Sequence, residues 1–158
     1  MICGLLVALV LPASASAYVS GGGGLDFEWP ADGVVSSPFG PRAGGFHPGL
    51  DIGSLRSLDV VAASSGLVVR AGEVPGYDGY GNVVVVDAGG GFTTIYAHLD
   101  RPLARRGAFV TRGQKIGIAG CTGWCTGTHL HFELRDQGRP VDPFLLLTLG
   151  YTAPTQGG

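Results

Sequence analysis

The sequence predicts a mainly β protein with one compact domain and few or no helices. Three observations lead there. Short apolar runs rich in β-branched residues alternate with Gly and Pro turn signals. The 29 glycines are spread along the chain without collagen period, which points to many tight turns between short strands. Only Pro143 to Leu149 suits a helix, because Asp142 can cap it and Pro143 fits its first turn.

The N-terminus reads as a processing segment. Ile2 to Leu11 is apolar, Pro12 breaks it, and Ala13-Ser-Ala-Ser-Ala17 follows. A run of that length is too short to cross a bilayer and suits the apolar part of a signal peptide over residues 1–17. The run has no Lys or Arg ahead of it, which departs from the usual signal. The expectation is export, with no membrane attachment after cleavage. Residues 18–28 read as a Gly-rich linker, 29–150 as the domain and 151–158 as a flexible tail.

Within the domain, strands are expected at Gly33 to Ser36, Asp59 to Ala63, Gly66 to Val69, Asn82 to Asp87, Phe92 to His98, Lys115 to Ala119 and Thr128 to Leu134. Val83 to Val86 is continuously apolar, so it should be buried on both faces. Gly89-Gly-Gly91 reads as a hairpin loop. Alternation over Phe92 to His98 places Phe92, Thr94, Tyr96 and His98 on one face.

Composition narrows the function. Hydrophobic residues make up 45% and charged residues 14%, enough for a packed core in 158 residues. A net charge of −2 offers no basic face for nucleic acid. Loss of a signal peptide would remove Cys3 and leave Cys121 and Cys125. In an exported chain such a pair reads as a disulfide, with a metal-binding pair as the rival.

All four histidines fall in three short motifs: His47-Pro-Gly-Leu-Asp51, Ile95-Tyr-Ala-His-Leu99 and His129-Leu-His131. Period-two alternation sends His129, His131 and Glu133 to one strand face and Leu130 and Phe132 to the other. The Pro48-Gly49 turn lets His47 and Asp51 converge. A catalytic zinc takes three protein ligands from His and carboxylate and keeps one position open. Two His and one Asp meet that count and leave two imidazoles for proton transfer. A structural zinc site would close the fourth position with protein ligands, usually Cys.

These motifs resemble the lysostaphin-like zinc endopeptidases of bacterial peptidoglycan. The similarity runs through Trp29-Pro-Ala-Asp-Gly33, Ser37-Pro-Phe-Gly-Pro-Arg42, His47-Pro-Gly-Leu-Asp51, Val61-Ala-Ala63 and Tyr80-Gly-Asn82. It continues through Tyr96-Ala-His-Leu99, Gly113-Gln-Lys-Ile-Gly117, Gly127-Thr-His-Leu-His-Phe-Glu133 and Pro140-Val-Asp-Pro143. The resemblance implies one Zn²⁺ per chain held by His47, Asp51 and His131, with His98 and His129 as catalytic residues. It implies an antiparallel sheet flooring a narrow groove, peptidoglycan peptides as substrate, and a place outside the cell or in its envelope. Glu133 is a rival base or an orienting residue. Arg42 is a candidate for a substrate carboxylate, and Tyr96 for the groove or the core. Thr128 stands where the family often has Pro. A second implied possibility is a non-catalytic domain of the same fold that binds wall or activates another hydrolase.

Overall fold

A computed structural model describes residues 26–149. The expected signal peptide, most of the expected linker and the expected tail lie outside the described residues. Twelve strands and one helix follow in chain order. They are β1 (Val34–Ser37), β2 (Gly40–Arg42), β3 (Gly45–His47), β4 (Leu50–Gly53), β5 (Asp59–Val61) and β6 (Gly66–Glu73), then β7 (Asn82–Gly89), β8 (Phe92–Pro102), β9 (Phe109–Val110), β10 (Lys115–Ala119), β11 (Leu130–Asp136), β12 (Arg139–Val141) and α1 (Pro143–Leu149).

Ten strands form one sheet whose main path runs β1-β4-β11-β8-β7-β6-β9. β10 pairs with β5 and β8, β12 pairs with β11, and β2 and β3 make a separate hairpin. Each of these pairings is antiparallel. The mainly β class, with a single short helix among the described residues, is the class the sequence predicts. Asp142 caps α1 as expected, its Oδ1 accepting the Phe144 N–H at 2.9 Å.

The centre of the sheet follows from side-chain alternation. Val83 to Val86 is buried throughout, at 0–2% exposure, as an unbroken apolar run requires. Val84 and Val86 join Tyr96, Leu130, Phe132 and Leu134 in the main core. Val83 and Val85 join Ile95 and Ala97 on the opposite face. Burying each such side chain contributes roughly 1.5–3 kcal/mol.

Packing begins ahead of Trp29. Phe27 is 2% exposed and belongs to the main core, and the Glu28 N–H donates to the Ala63 carbonyl at 2.8 Å. The end of the stretch expected as linker is therefore part of the packed domain. β2, β3, β4, β9 and β12 are strands that the sequence does not announce. Each has two to four residues and, apart from β9, contains Gly or Pro, so neither period nor propensity marks it. No helix among the described residues is long and apolar enough to cross a membrane.

Candidate metal centre

Three neighbouring strands deliver the site. His47 ends β3, Asp51 lies in β4 and His131 lies in β11, with His131 directly opposite Asp51 in the antiparallel register. Gly49 permits the close turn between the first two, since a Cβ there would sit 2.3 Å from the Phe132 carbonyl oxygen. Alternation along β11 works as expected: Leu130, Phe132 and Leu134 enter the core while His131 and Glu133 face the other way. His47, Asp51 and His131 form a group that could hold a metal ion.

Hydrogen bonding at the outer ring nitrogens decides what these side chains point at one another. His47 Nδ1 lies 2.7 Å from the Pro38 carbonyl, which only accepts, so Nδ1 carries the proton. His131 Nε2 lies 3.1 Å from Glu133 Oε1 and donates to that carboxylate. In the neutral rings the inward nitrogens, His47 Nε2 and His131 Nδ1, are then lone pairs, 3.1 Å apart. Asp51 Oδ1 lies 3.2 Å from the first and 2.9 Å from the second. Three acceptors facing one another repel, and a cation bound by all three removes that repulsion. The chemistry of the donor set, two imidazoles and a carboxylate, fits zinc.

Two further imidazoles stand beside the triad. His98 Nδ1 donates to the Thr122 carbonyl at 2.8 Å and His129 Nδ1 to the Gly127 carbonyl at 2.7 Å. In a neutral ring these bonds leave Nε2 as the lone-pair nitrogen of each. The two rings are 4.8 Å apart, His98 is 5.9 Å from the His131 ring, and His129 Nε2 is 3.6 Å from Asp51 Oδ1. All four histidines line one open cavity of about 430 Å³ together with Asp51.

His98 reaches this cavity by a device that alternation misses. Phe92, Thr94 and Tyr96 share the core face as predicted, but His98 does not. Val84 pairs with Tyr96 and Asn82 with Leu99, so two steps on β7 span three on β8. The extra residue forms a bulge in which His98 takes φ +59°, and its N–H donates to the Tyr80 carbonyl at 2.9 Å. The bulge turns the imidazole from the core face to the site. Burial, reinforced by the neighbouring imidazoles, lowers the His98 pKa below its ordinary value, against the opposing bond to Thr122.

The lesser candidates separate cleanly. Tyr96 is a core residue: it is fully buried, 5.3 Å from the Phe132 ring, and its hydroxyl accepts the Ala63 N–H at 2.7 Å. Arg42 lines the cavity. Glu133 is fully buried behind His131, on the side away from the lone-pair cluster. It accepts from Tyr80 Oη at Oε1 and from Arg135 Nε at Oε2, 2.7 Å away. Burial would raise its pKa, but the bonds from His131, Tyr80 and Arg135 outweigh that and hold it below the usual value. In the sequence Tyr80 stands out only as part of Tyr80-Gly-Asn82. Nothing local in the sequence shows that its hydroxyl, its ring and its carbonyl each touch a different site residue.

Cys121 and Cys125 are joined by a disulfide, with Cα atoms 5.5 Å apart. The bridged loop carries Thr122, whose carbonyl orients His98.

The peptidase family M23 model matches residues 45–143, a span containing the triad, both further histidines and the bridged loop. The chain belongs to peptidase family M23. It is 39% identical over 121 residues to the murein hydrolase activator NlpD of Salmonella dublin, covering 77% of this chain and 31% of that protein. It is 38% identical over 127 residues to the peptidoglycan DD-endopeptidase ShyA of Vibrio cholerae, covering 75% of this chain and 27% of that one. The chain thus spans about a third or less of the length of these relatives. Among solved structures, the catalytic domain of lysostaphin from Staphylococcus simulans superposes with a TM-score of 0.65 at 32% identity. That match covers 73% of this chain and 92% of the domain. M23 peptidases are zinc-dependent, which accords with the donor set of this M23 domain.

Proposed function

We propose that this domain is an exported zinc endopeptidase that hydrolyses peptide bonds of bacterial peptidoglycan. The observation that carries the reading is the set of three converging donors beside an open cavity, with two more imidazoles anchored through Nδ1 at its edge. In this reading His47, Asp51 and His131 hold the ion. When bound, zinc supplies Lewis acidity and a water activated near neutral pH, at a pKa of about 7. One of His98 and His129, neutral, accepts the nucleophile's proton at Nε2, and the other, protonated at Nε2, stabilises the oxyanion or gives that proton to the leaving amine. Their Nδ1 bonds to backbone carbonyls keep that tautomer. Glu133, already ionised and engaged by three donors, orients His131 rather than acting as base.

A second reading has a specific observation behind it, the similarity to a murein hydrolase activator. In that reading the groove binds wall or another hydrolase and cuts nothing. The complete triad and both additional imidazoles favour hydrolysis, since a purely binding groove has no need of imidazoles placed for proton transfer beside a metal group. The deciding experiment incubates zinc-loaded protein with purified cell walls, with and without a chelator, and identifies released muropeptides by mass spectrometry. New chelator-sensitive peptide ends support the endopeptidase. Stoichiometric zinc without any cleavage, together with stimulation of an added wall hydrolase, supports the activator.

Residues 1–17 are proposed as a cleaved signal peptide and 18–28 as the segment leading into the domain. N-terminal sequencing of protein recovered outside the cytoplasm should begin near Tyr18. An intact Met1 on a cytosolic product would refute export.

A further inference from the structure

Trp124 is the most exposed large apolar side chain among the described residues, at 85%, against 60% for Leu145. Yet its backbone is firmly held. Its N–H donates to the Gly79 carbonyl at 2.8 Å, and the disulfide closes the loop from Cys121 to Cys125 around it. One side of the indole lies on Gly79, where φ is +87° and a Cβ would come within 3.1 Å of ring atoms Cδ2 and Cε3. Gly123 packs back on the same segment, since a Cβ there would sit 2.4 Å from Gly79 O and Gly81 N. A solvent-facing indole presented from a fixed backbone offers a large contact area with only two side-chain torsions to order on binding.

Trp124 also stands where two cavities meet. It lines the histidine groove, and it lines an adjoining recess of about 530 Å³ with Tyr77, Asp78 and Glu73. Asp78 and Gly79 border both. The recess is lined by two carboxylates and no Lys or Arg. Arg42 is the one guanidinium lining the groove itself. An aromatic face flanked by carboxylates suits an aliphatic chain that ends in an ammonium group: the methylenes and the cation both gain from the indole, and the carboxylate pairs with the charge.

We propose that Trp124 and Asp78 form a specificity subsite for the amine-tipped side chain of a peptidoglycan stem peptide bound in the groove. The choice of substrate class rests on the endopeptidase reading; the subsite does not require that cleavage occur. The stem peptide crosses the histidines, its diamino-acid side chain lies along the indole, and its ammonium group reaches Asp78.

The test uses zinc-loaded protein carrying His98→Asn to prevent turnover and Trp29→Phe to leave Trp124 as its one tryptophan. It is titrated with a muropeptide that bears a free side-chain amine and with the same muropeptide acetylated there. The free amine should change Trp124 emission saturably and bind about 3- to 30-fold more tightly than the acetylated form. Asp78→Asn should erase that preference, and Trp124→Ala, followed by calorimetry, should bind both forms with equal weakness. Equal affinities in the parent protein, or a preference that survives both substitutions, would overturn the subsite. Hydrolysis of the two muropeptides by the wild-type protein is read separately. Amine preference without hydrolysis retains the subsite and removes the endopeptidase reading, whereas hydrolysis without amine preference does the reverse.

Discussion

At the scale of single residues, His98 shows chemistry and stability pulling apart. A non-glycine residue at φ +59° carries a conformational cost on the order of 1–2 kcal/mol. The bulge that imposes it is what aims the imidazole at the site. Asn tolerates the left-handed region better than His, so His98→Asn should keep its zinc and melt no lower than the wild type. Its turnover should fall by about 10²–10⁴-fold. Calorimetry, metal analysis and wall hydrolysis together check this, and full turnover in the variant would remove His98 from the mechanism. The lowered His98 pKa has its own consequence. In the proton-accepting role His98 needs its Nε2 lone pair, so activity resting on that role should be retained down to a pH below the ordinary imidazole value of about 6.5 and lost under it. A pH–rate profile whose acid limb lies above that value would contradict the assignment. Glu133 acts one bond further out. Glu133→Gln keeps the shape but weakens the acceptor behind His131, and zinc affinity should fall by roughly 10–100-fold in a chelator competition.

At the scale of elements, β11 and the bridged loop divide the work. β11 places Phe132 in the core and His131 in the site on successive residues, so one strand fixes both stability and the position of a proposed metal ligand. The bridged loop holds Thr122 against β7 and β8. The Thr122 hydroxyl donates to the Leu99 carbonyl at 2.7 Å and accepts the Asn82 N–H at 2.9 Å. Closing so short a loop removes little chain entropy, so replacing both cysteines by Ser should cost about 2 kcal/mol of stability. The loss of activity should be larger than that of stability, because the His98 partner and Trp124 both ride on this loop. Thermal melts and kcat/KM of the double variant check the pair of effects.

At the scale of the whole molecule, the metal and the fold should be coupled. Three donors from β3, β4 and β11 meet only when those strands are assembled, so zinc held by them would bind the folded state alone and stabilise it by mass action. At a free concentration near 100 times its dissociation constant, zinc should add about 2.7 kcal/mol. Calorimetric scans with excess chelator should show a lower melting temperature, restored by added zinc. An unchanged melting temperature would mean that the triad holds no ion. The same coupling explains why removing His47 or Asp51 is expected to cost both metal and hydrolysis.

Much of this was legible in the chain itself. Repeating short strands, the continuous Val83–Val86 run, the helix after Asp142 and the grouping of all four histidines with Asp51 need only local period, capping and residue type, which are encoded within a few neighbouring positions. Long-range geometry was not legible. The short strands β2, β3 and β4 exist because they pair, the bulge at His98 depends on the register between β7 and β8, and Tyr96 is a core residue because Ala63 meets its hydroxyl. The sequence by itself determined which side chains could make a metal site and the kind of fold that would carry them. Only the tertiary structure decided which nitrogen of each imidazole faces inward, because the folded backbone sets which carbonyl or carboxylate claims the other one, whether it lies across the fold at Pro38 and Thr122 or two residues away at Gly127 and Glu133.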